Sequence, residues 1–322
     1  MDGQLPDMRM AMHRKRRKRN RFADRVFFLL FMSAGSLLRL PGQPQAALLA
    51  RFCGDLVYSV LKIRRSLVER NLAAAFPEKS QSEINRIARQ VYRNMAENVV
   101  EVLRLPLLRT PEDAARLVDV DARAFHARTR ELHKGAVLVS AHFGNWELLG
   151  MAFGLLVSPM TVVVKRLKNR KIDRQINLWR AMRGNTVVYK RQALREGLRT
   201  LKSGGVMSIL ADQSDPKGGF FMDFLGRRTS VFLGPAFLAL KTGVPLFVGI
   251  SRKIENGRYR AEYEEIDYSD LGTGKADVEE LSRRYTRAIE GYIRRYPEEW
   301  FWLHDRWKRT DETATVLSMN RE

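Results

Sequence analysis

Apolar and polar residues follow two different patterns along this chain, and the change falls near residue 134. From about 55 to 104, apolar residues recur every three or four positions, which predicts amphipathic helices ending at Pro77 and Pro106. Two further short helices are expected within 111–134. After them, short β-branched runs alternate with amphipathic segments of helical length. This alternation predicts an α/β fold with a mostly parallel sheet flanked by helices.

The second half of the chain contains six expected strands and five expected helices. We expect strands at 136–141, 161–165, 186–189, 206–210, 244–250 and 258–266, and helices at 146–156, 170–183, 193–202, 234–243 and 277–295. No internal repeat or inter-domain linker is evident. The predicted organisation is a disordered basic arm (1–22), a membrane anchor with a helical segment (23–134), an α/β core (135–309) and a tail (310–322).

The anchor prediction rests on an uncharged stretch of thirteen residues, Val26 to Leu38. A transmembrane helix needs about 20 apolar residues, so this stretch is too short for a clean span. The next uncharged stretch, 40–50, is interrupted by Pro41 and Pro44. We therefore expect N-terminal membrane-associating helices that lie at the interface or re-enter it, with basic flanks that keep both ends cytoplasmic. A secretory signal peptide is the competing interpretation.

Charge adds a preference for anionic partners. Lys and Arg number 57 against 36 Asp and Glu, a formal net charge of +21, and the run HRKRRKRNR occupies 13–21. Because an apolar stretch follows this run, a membrane surface is expected as a partner and nucleic acid is not. The single Cys53 excludes an internal disulfide. The sequence has no paired histidines, no Cys-x-x-Cys and no glycine-rich phosphate loop. We therefore expect neither a metal site nor a bound cofactor.

The segment HFGNWE, residues 142–147, carries a candidate catalytic pair at the end of an apolar strand. On one uninterrupted helix the histidine and the glutamate would lie roughly 140° apart and would not meet. If the strand ends before His142, then Gly144 supplies a turn and Asn145 caps the next helix. Glu147 then lies in the first turn of that helix, where the bent backbone can bring its carboxylate to the imidazole.

Such a pair predicts general-base chemistry at the carboxyl edge of the sheet, where open α/β sheets bind ligands. With Nδ1 held by Glu147, His142 would remove a proton from a hydroxyl through Nε2. That hydroxyl is expected to belong to the substrate, because GxSxG is absent. Asp212 and Gln213 follow another strand and either line the same cleft or serve only a turn. The alternative for the histidine is a purely structural role.

Several segments resemble, in order, the lipid A biosynthesis (lauroyl/myristoyl) branch of the HX4(D/E) acyltransferases over about residues 25–309. HFGNWE resembles the HX4(D/E) motif itself. The further similar segments are RRSLVERNLAAAFPE (64–78), KRLKNRKID (165–173), SILADQ (208–213), FLGRRTSVFLGPAFLALKTGVPL (224–246) and EEWFWLHDRWK (298–308). One departure is Leu167, which stands where the basic segment often has proline.

The resemblance implies transfer of a fatty acyl chain from acyl carrier protein, or less often acyl-CoA, to a hydroxyl of an anionic glycolipid, a lipid A precursor, at the cytoplasmic face of the inner membrane. It makes His142 the general base and Glu147 its partner. Asn145, Asp212 and Gln213 become candidate substrate-binding residues. Arg166, or Lys165 beside it, becomes the cation near the acceptor phosphate or the acyl carbonyl.

Other interpretations remain open from the sequence. The acceptor could instead be a phosphatidylinositol mannoside or a lysophospholipid, because the motif indicates the reaction more than the sugar. In a different class of function, the arm binds anionic membrane or nucleic acid and HFGNWE is only a turn. Trp300, Trp302 and Trp307 are expected in the core rather than in an interfacial belt, and His304 with Asp305 is expected to be structural.

Overall fold

A seven-stranded, mostly parallel sheet lies at the centre of the part of the chain that the structure describes. The computed structural model describes residues 21–215 and 220–308, except for the side chains of Arg21 and Asn256. Most of the predicted basic arm and all of the predicted tail therefore lie outside the described residues. The strands are β1 Val118–Val120, β2 Ala136–Ser140, β3 Met160–Val164, β4 Thr186–Tyr189, β5 Val206–Leu210, β6 Phe221–Phe224, β7 Arg227–Ser230, β8 Leu246–Lys253 and β9 Tyr259–Glu265.

The order across the sheet is β1-β9-β8-β2-β5-β3-β4, with β8 and β9 antiparallel and the other neighbouring pairs parallel. Helices flank it. They are α1 Arg21–Leu38, α2 Gln43–Leu56, α3 Arg65–Ala75, α4 Gln81–Arg104, α5 Pro111–Leu117, α6 Arg123–Leu132, α7 Trp146–Leu156, α8 Arg170–Ala181, α9 Ala193–Lys202, α10 Gly234–Thr242 and α11 Lys275–Arg295. The mostly parallel α/β fold and the two short helices α5 and α6 are confirmed.

Both faces of the sheet are covered, which explains why its strands are apolar almost throughout. Leu138 and Val162 lie on one face and pack in a cluster with Phe125 of α6 and Phe153 of α7. Val139 lies on the opposite face, in the larger cluster that contains residues of α9, α10 and α11. The carboxyl ends of β2, β5 and β3 therefore open between two layers of helices.

The hairpin β6–β7 and the edge strand β1 were not predicted. β1 has only three residues, and its pairing with the end of β9 is long-range, so it leaves no periodic signal. In the hairpin, the connecting residues Leu225 and Gly226 both have positive φ, 50° and 73°. A leucine in this region is strained by about 1–2 kcal/mol. Leu225 is only 1% exposed, so its burial in the core offsets that strain.

The N-terminal helices α1 and α2 pack on α4 and leave an apolar surface uncovered. Gly54 of α2 allows close approach, because a Cβ there would lie 2.7 Å from the backbone of Tyr92. We call the uncovered surface the N-terminal apolar face. Its exposed residues are Phe22, Val26, Phe27, Leu29, Leu30, Leu37, Leu40, Leu48, Leu49, Phe52, Leu56, Val60, Leu61 and Ile63. None of the helices described combines the length and the hydropathy that crossing a bilayer requires.

Candidate active site

The order of the strands brings His142 and Asp212 together at the carboxyl edge of the sheet. Strands β2 and β5 are neighbours, and Ser140 pairs with Leu210 in their parallel register. Two residues further along each chain segment, His142 Nδ1 lies 2.8 Å from Asp212 Oδ1. The backbone N–H of His142 also donates to Asp212 Oδ2, at 3.0 Å. One buried carboxylate therefore fixes both the imidazole and the backbone that carries it.

The segment after α11 holds this pair in place. Trp300 Nε1 donates to Asp212 Oδ2 at 2.8 Å. Phe301 N donates to the carbonyl of His142, and Gly144 N donates to the carbonyl of Glu299, both at 2.9 Å. Trp300 is 1% exposed, and Trp302 and Trp307 are also buried, which confirms that these tryptophans belong to the core. The turn after β2 is therefore set by tertiary contacts on both sides.

The expected contact between Glu147 and His142 Nδ1 is wrong, because Asp212 occupies that position. Glu147 instead binds Arg180 of α8, accepting from its Nε at 2.9 Å and also from its Nη2. The turn at Gly144, with φ of 52°, starts α7 in a direction that carries the Glu147 side chain toward α8. A catalytic role for Glu147 remains a prediction, but it is not that of the carboxylate bound to Nδ1.

Asn145 caps α7 as expected, since its side-chain oxygen accepts from Leu148 N at 3.0 Å. Its predicted contact with substrate is not supported. The side chain is fully buried, and it is not among the residues that line the neighbouring cavity. Asn145 therefore acts from beneath the turn, on the start of the helix.

A cavity of about 1330 Å³ opens beside the imidazole and extends along the ends of β5 and β3. The side chain of His142 keeps 21% exposure. Trp146 and Phe301 flank it, with ring centroids 5.1 and 6.0 Å from that of the imidazole. Gln213 also lines the cavity, and its Nε2 lies 3.5 Å from His142 Nε2. With Nδ1 bound to Asp212, Nε2 is the nitrogen available to a ligand.

Electrostatics favour the ionised carboxylate and a basic imidazole. Burial opposes both charges, but the mutual attraction and the hydrogen bond outweigh it. The pKa of His142 is raised above its ordinary value of 6.5 by the charge and hydrogen bond of Asp212. The pKa of Asp212 is lowered by its contacts with His142 and Trp300. These contacts therefore favour the anionic carboxylate and make the imidazole a stronger base than a free histidine.

Basic side chains surround the cavity. Those that line it are Arg64, Lys165, Lys190, Lys275 and Lys308, together with Arg180, which Glu147 neutralises. Arg166 is exposed and is not one of them: its guanidinium lies 4.2 Å above the ring of Tyr189. Lys165, the neighbouring candidate, lines the cavity instead. Of these two adjacent basic residues, only Lys165 lines the cavity.

His304 also lines the cavity, which the sequence did not predict. Burial and the nearby Lys308 lower its pKa to about 4, so it is neutral at physiological pH. Across residues 21–215 and 220–308, no group of three or more His, Cys, Asp or Glu is arranged to hold a metal ion.

Comparison with known proteins shows the family to which this chain belongs. The profile of the bacterial lipid A biosynthesis acyltransferases matches residues 13–309. The chain is 25% identical over 288 residues to a lipid A biosynthesis palmitoleoyltransferase of Escherichia coli (strain K12), covering 88% of this chain and 92% of that protein. It is 24% identical over 291 residues to a lipid A biosynthesis lauroyltransferase of the same strain, covering 89% and 93%.

A third similar protein is named for a different acceptor. Over 178 residues the chain is 28% identical to a phosphatidylinositol mannoside acyltransferase of Mycolicibacterium smegmatis, covering 54% of this chain and 57% of that protein. The matched part is thus little more than half of that relative. Because the family profile matches most of its length, the chain belongs to the bacterial lipid A biosynthesis acyltransferase family and is an acyltransferase.

Proposed function

We propose that the protein transfers a fatty acyl chain from acyl carrier protein to a hydroxyl of a lipid A precursor, with His142 as general base. The observation that carries this proposal is the contact between His142 Nδ1 and the buried Asp212, which leaves Nε2 facing a large cavity. A base at the mouth of a cavity lined largely by apolar side chains suits a reaction that brings a hydrocarbon chain to a hydroxyl group.

The proposed step is a direct transfer without an acyl-enzyme. The acceptor hydroxyl oxygen attacks the thioester carbonyl carbon, a C–O bond forms and the C–S bond breaks. The hydroxyl proton moves to His142 Nε2 and from there to the departing thiolate sulfur. Asp212 accepts a hydrogen bond from Nδ1–H, fixes this tautomer and stabilises the imidazolium. The amide of Gln213, near Nε2, is placed to contact the reacting oxygen atoms.

The lysines around the cavity suit the anionic groups of both substrates. Lys165, Lys190 and Lys308 line it, and the whole chain has a formal net charge of +21. Acyl carrier protein is acidic and carries its acyl chain on a phosphodiester-linked arm, and lipid A precursors bear phosphates. Such charge complementarity raises the rate of encounter and orients the partners.

The acceptor is tested by presenting alternatives side by side. We expect the purified full-length chain, supplied with acyl carrier protein thioester, to acylate a lipid A precursor in preference to a phosphatidylinositol mannoside or a lysophospholipid, as read by mass spectrometry. Acyl-CoA in place of the carrier thioester tests the donor. Preference for another acceptor would reassign the substrate, whereas transfer to none, with vesicle binding retained, would favour an anion-binding module over an enzyme.

We further propose that the N-terminal apolar face lies on the cytoplasmic surface of the inner membrane. Phe27 and Leu30 are 64% and 60% exposed and three residues apart on α1. Side chains at this spacing lie on the same side of a helix, and an interfacial helix buries its apolar side at the boundary of headgroups and acyl chains. The basic segment before α1 would add attraction to anionic lipid.

Replacing both Phe27 and Leu30 by serine is expected to weaken binding to vesicles of anionic phospholipid by at least about tenfold, because burying each such side chain contributes about 1.5–3 kcal/mol. Vesicle cosedimentation measures the binding of both proteins. High salt separates the two contributions, since it screens the charges and not the apolar contact. Equal binding of wild type and variant, abolished by salt, would contradict an apolar anchor.

A further inference from the structure

Residues on both faces of the sheet line the cavity. Val162 of β3 lies on the face covered by α7, and Val163 lies on the face covered by α9 and α10. We call the part bounded by Trp146, Gly150, Met151, Val162 and Asn185 the α7 lobe. The part bounded by Ala193, Leu194, Phe232, Gly234, Phe237 and Leu238 is the α10 lobe.

One side chain that lines the α7 lobe is fixed at both of its polar atoms. Asn185 Oδ1 accepts from Met160 N at 2.9 Å, and its Nδ2 donates to the carbonyl of Gly150 at 3.0 Å. The side chain also packs tightly against the next turn of α7, since a Cβ on Gly154 would lie 2.6 Å from its Oδ1. Asn185 therefore forms a rigid floor of this lobe.

Gly150 leaves the wall of the lobe open just before this floor. A Cβ built on it would have no atom within 4 Å, whereas one on Gly154 would collide with Asn185. Gly150 lies within α7, four residues or about 6 Å along the axis from Trp146, which packs on His142. Glycine inside a helix is destabilising relative to alanine. Because Gly150 also lines the cavity, the open space beside it leaves room for a ligand to pass.

The two lobes differ in how far they are withdrawn from water. In the α7 lobe, Met151 and Asn185 are 1% and 6% exposed. In the α10 lobe, Leu194 and Phe237 are 52% and 37% exposed. A chain delivered by a soluble carrier has to be wholly sheltered in the enzyme, whereas the hydrocarbon of a membrane lipid can stay partly in the bilayer. None of the residues that bound the α7 lobe is exposed, whereas three of those that bound the α10 lobe are, so the α7 lobe suits the donor better.

We propose that the α7 lobe takes the hydrocarbon chain of the acyl donor and that Gly150, above the Asn185 floor, sets the longest chain accepted. This inference rests on the proposed acyl transfer. It makes Gly150 a specificity-determining residue: a side chain there fills the space of the last methylene groups, so longer chains no longer bring their carbonyl to His142.

The test compares three glycines that have no atom within 4 Å of a Cβ position: Gly150, Gly234 in the α10 lobe, and Gly291 in α11, which does not line the cavity. Each is replaced by leucine, and kcat/KM is measured with carrier thioesters of increasing saturated chain length. For Gly150→Leu we expect the ratio of short-chain to long-chain kcat/KM to increase by at least about tenfold, the usual effect of methylene groups that no longer fit. Gly291→Leu should leave the profile unchanged.

Other results would overturn the inference. If Gly150→Leu lowers kcat/KM equally for all chain lengths and leaves the circular dichroism spectrum unchanged, Gly150 has no part in length selection. A length shift in Gly234→Leu alone would place the donor chain in the α10 lobe. Gly150→Ala repeats the test with less volume if the leucine variant does not fold.

A binding measurement separates this inference from the proposed reaction. Calorimetric titration measures the binding of free saturated fatty acids of different lengths and requires no acyl transfer. Shorter preferred fatty acids in Gly150→Leu would support the lobe assignment even if the wild type transfers nothing, in which case the proposed function alone fails. Unchanged length preference in both measurements would refute the role of Gly150 while acyl transfer by the wild type stands.

Discussion

Replacing His142 by alanine is expected to lower acyl transfer by about 10²- to 10⁴-fold, the usual contribution of a general base, because the imidazole is the proposed base. Its loss also removes the hydrogen-bond partner of Asp212 Oδ1. Transfer is measured with carrier thioester and a lipid A precursor under single-turnover conditions. Vesicle binding should remain that of the wild type, since His142 lies apart from the N-terminal apolar face.

A suitable control is His133→Asn. His133 is an exposed residue with a positive φ of 48°, a conformation that asparagine tolerates well. This variant should transfer acyl chains at the wild-type rate. Near-normal transfer by His142→Ala would remove the imidazole from the mechanism and with it the chemical basis of the proposed function.

The second large effect is expected from Asp212→Asn, a loss of about 10³- to 10⁴-fold in kcat by analogy with the carboxylate of a catalytic triad. Two donors, His142 N and Trp300 Nε1, point at Asp212 Oδ2. They would hold the amide oxygen of asparagine at that position. Its NH₂ would then face Nδ1, which has to become the acceptor, so the proton moves to Nε2. The nitrogen that faces the cavity would no longer be a base.

The pH profile gives an independent measure of the same contact. The base acts in its neutral form, so kcat/KM of the wild type should increase with pH as the imidazolium loses its proton. Because Asp212 raises the pKa of His142, the midpoint should lie above 6.5. In Asp212→Asn the charge that raises this pKa most is gone and burial remains, so the midpoint of any residual activity should move to lower pH.

Glu147→Gln distinguishes the two carboxylates. Glu147 is bound to Arg180, and its charge raises the pKa of His142 less than that of Asp212 does. We expect this variant mainly to destabilise the fold, because a largely buried arginine loses its counter-ion. The pH midpoint should move less than in Asp212→Asn. A larger shift of the pH midpoint in Glu147→Gln than in Asp212→Asn would instead make Glu147 the carboxylate that acts on the imidazole.

Elements and candidate residues were predictable where local signals exist. The apolar periodicity located α3, α4 and most strands of the sheet, and the glycine and asparagine of HFGNWE indicated the turn and the cap of α7. Asp212 and Gln213 were expected either to line the same cleft or to serve only a turn. Gln213 lines the cavity, whereas the buried Asp212 contacts His142 and is not among the lining residues. Strands too short to show a period, such as β1, were beyond this reasoning.

Contacts between distant segments were not predictable in the same way. Trp300 was expected in the core, but no sequence pattern indicated its hydrogen bond to Asp212, 88 residues away. Arg180 stands within a helix rich in basic residues, so nothing distinguished it as the partner of Glu147. Arg166 and Lys165 are adjacent, and only the course of the chain after β3 decides which of them faces the cavity.

By itself the sequence determined where the candidate imidazole lies: at the end of an apolar strand, before a glycine turn and a capped helix, each of which has a local sequence signal. The tertiary structure decided which carboxylate holds it. β3 and β4 separate β2 and β5 along the chain, yet β5 is the neighbour of β2 in the sheet. Strand order depends on the packing of the whole sheet, so only the fold could place Asp212, and not Glu147, against Nδ1.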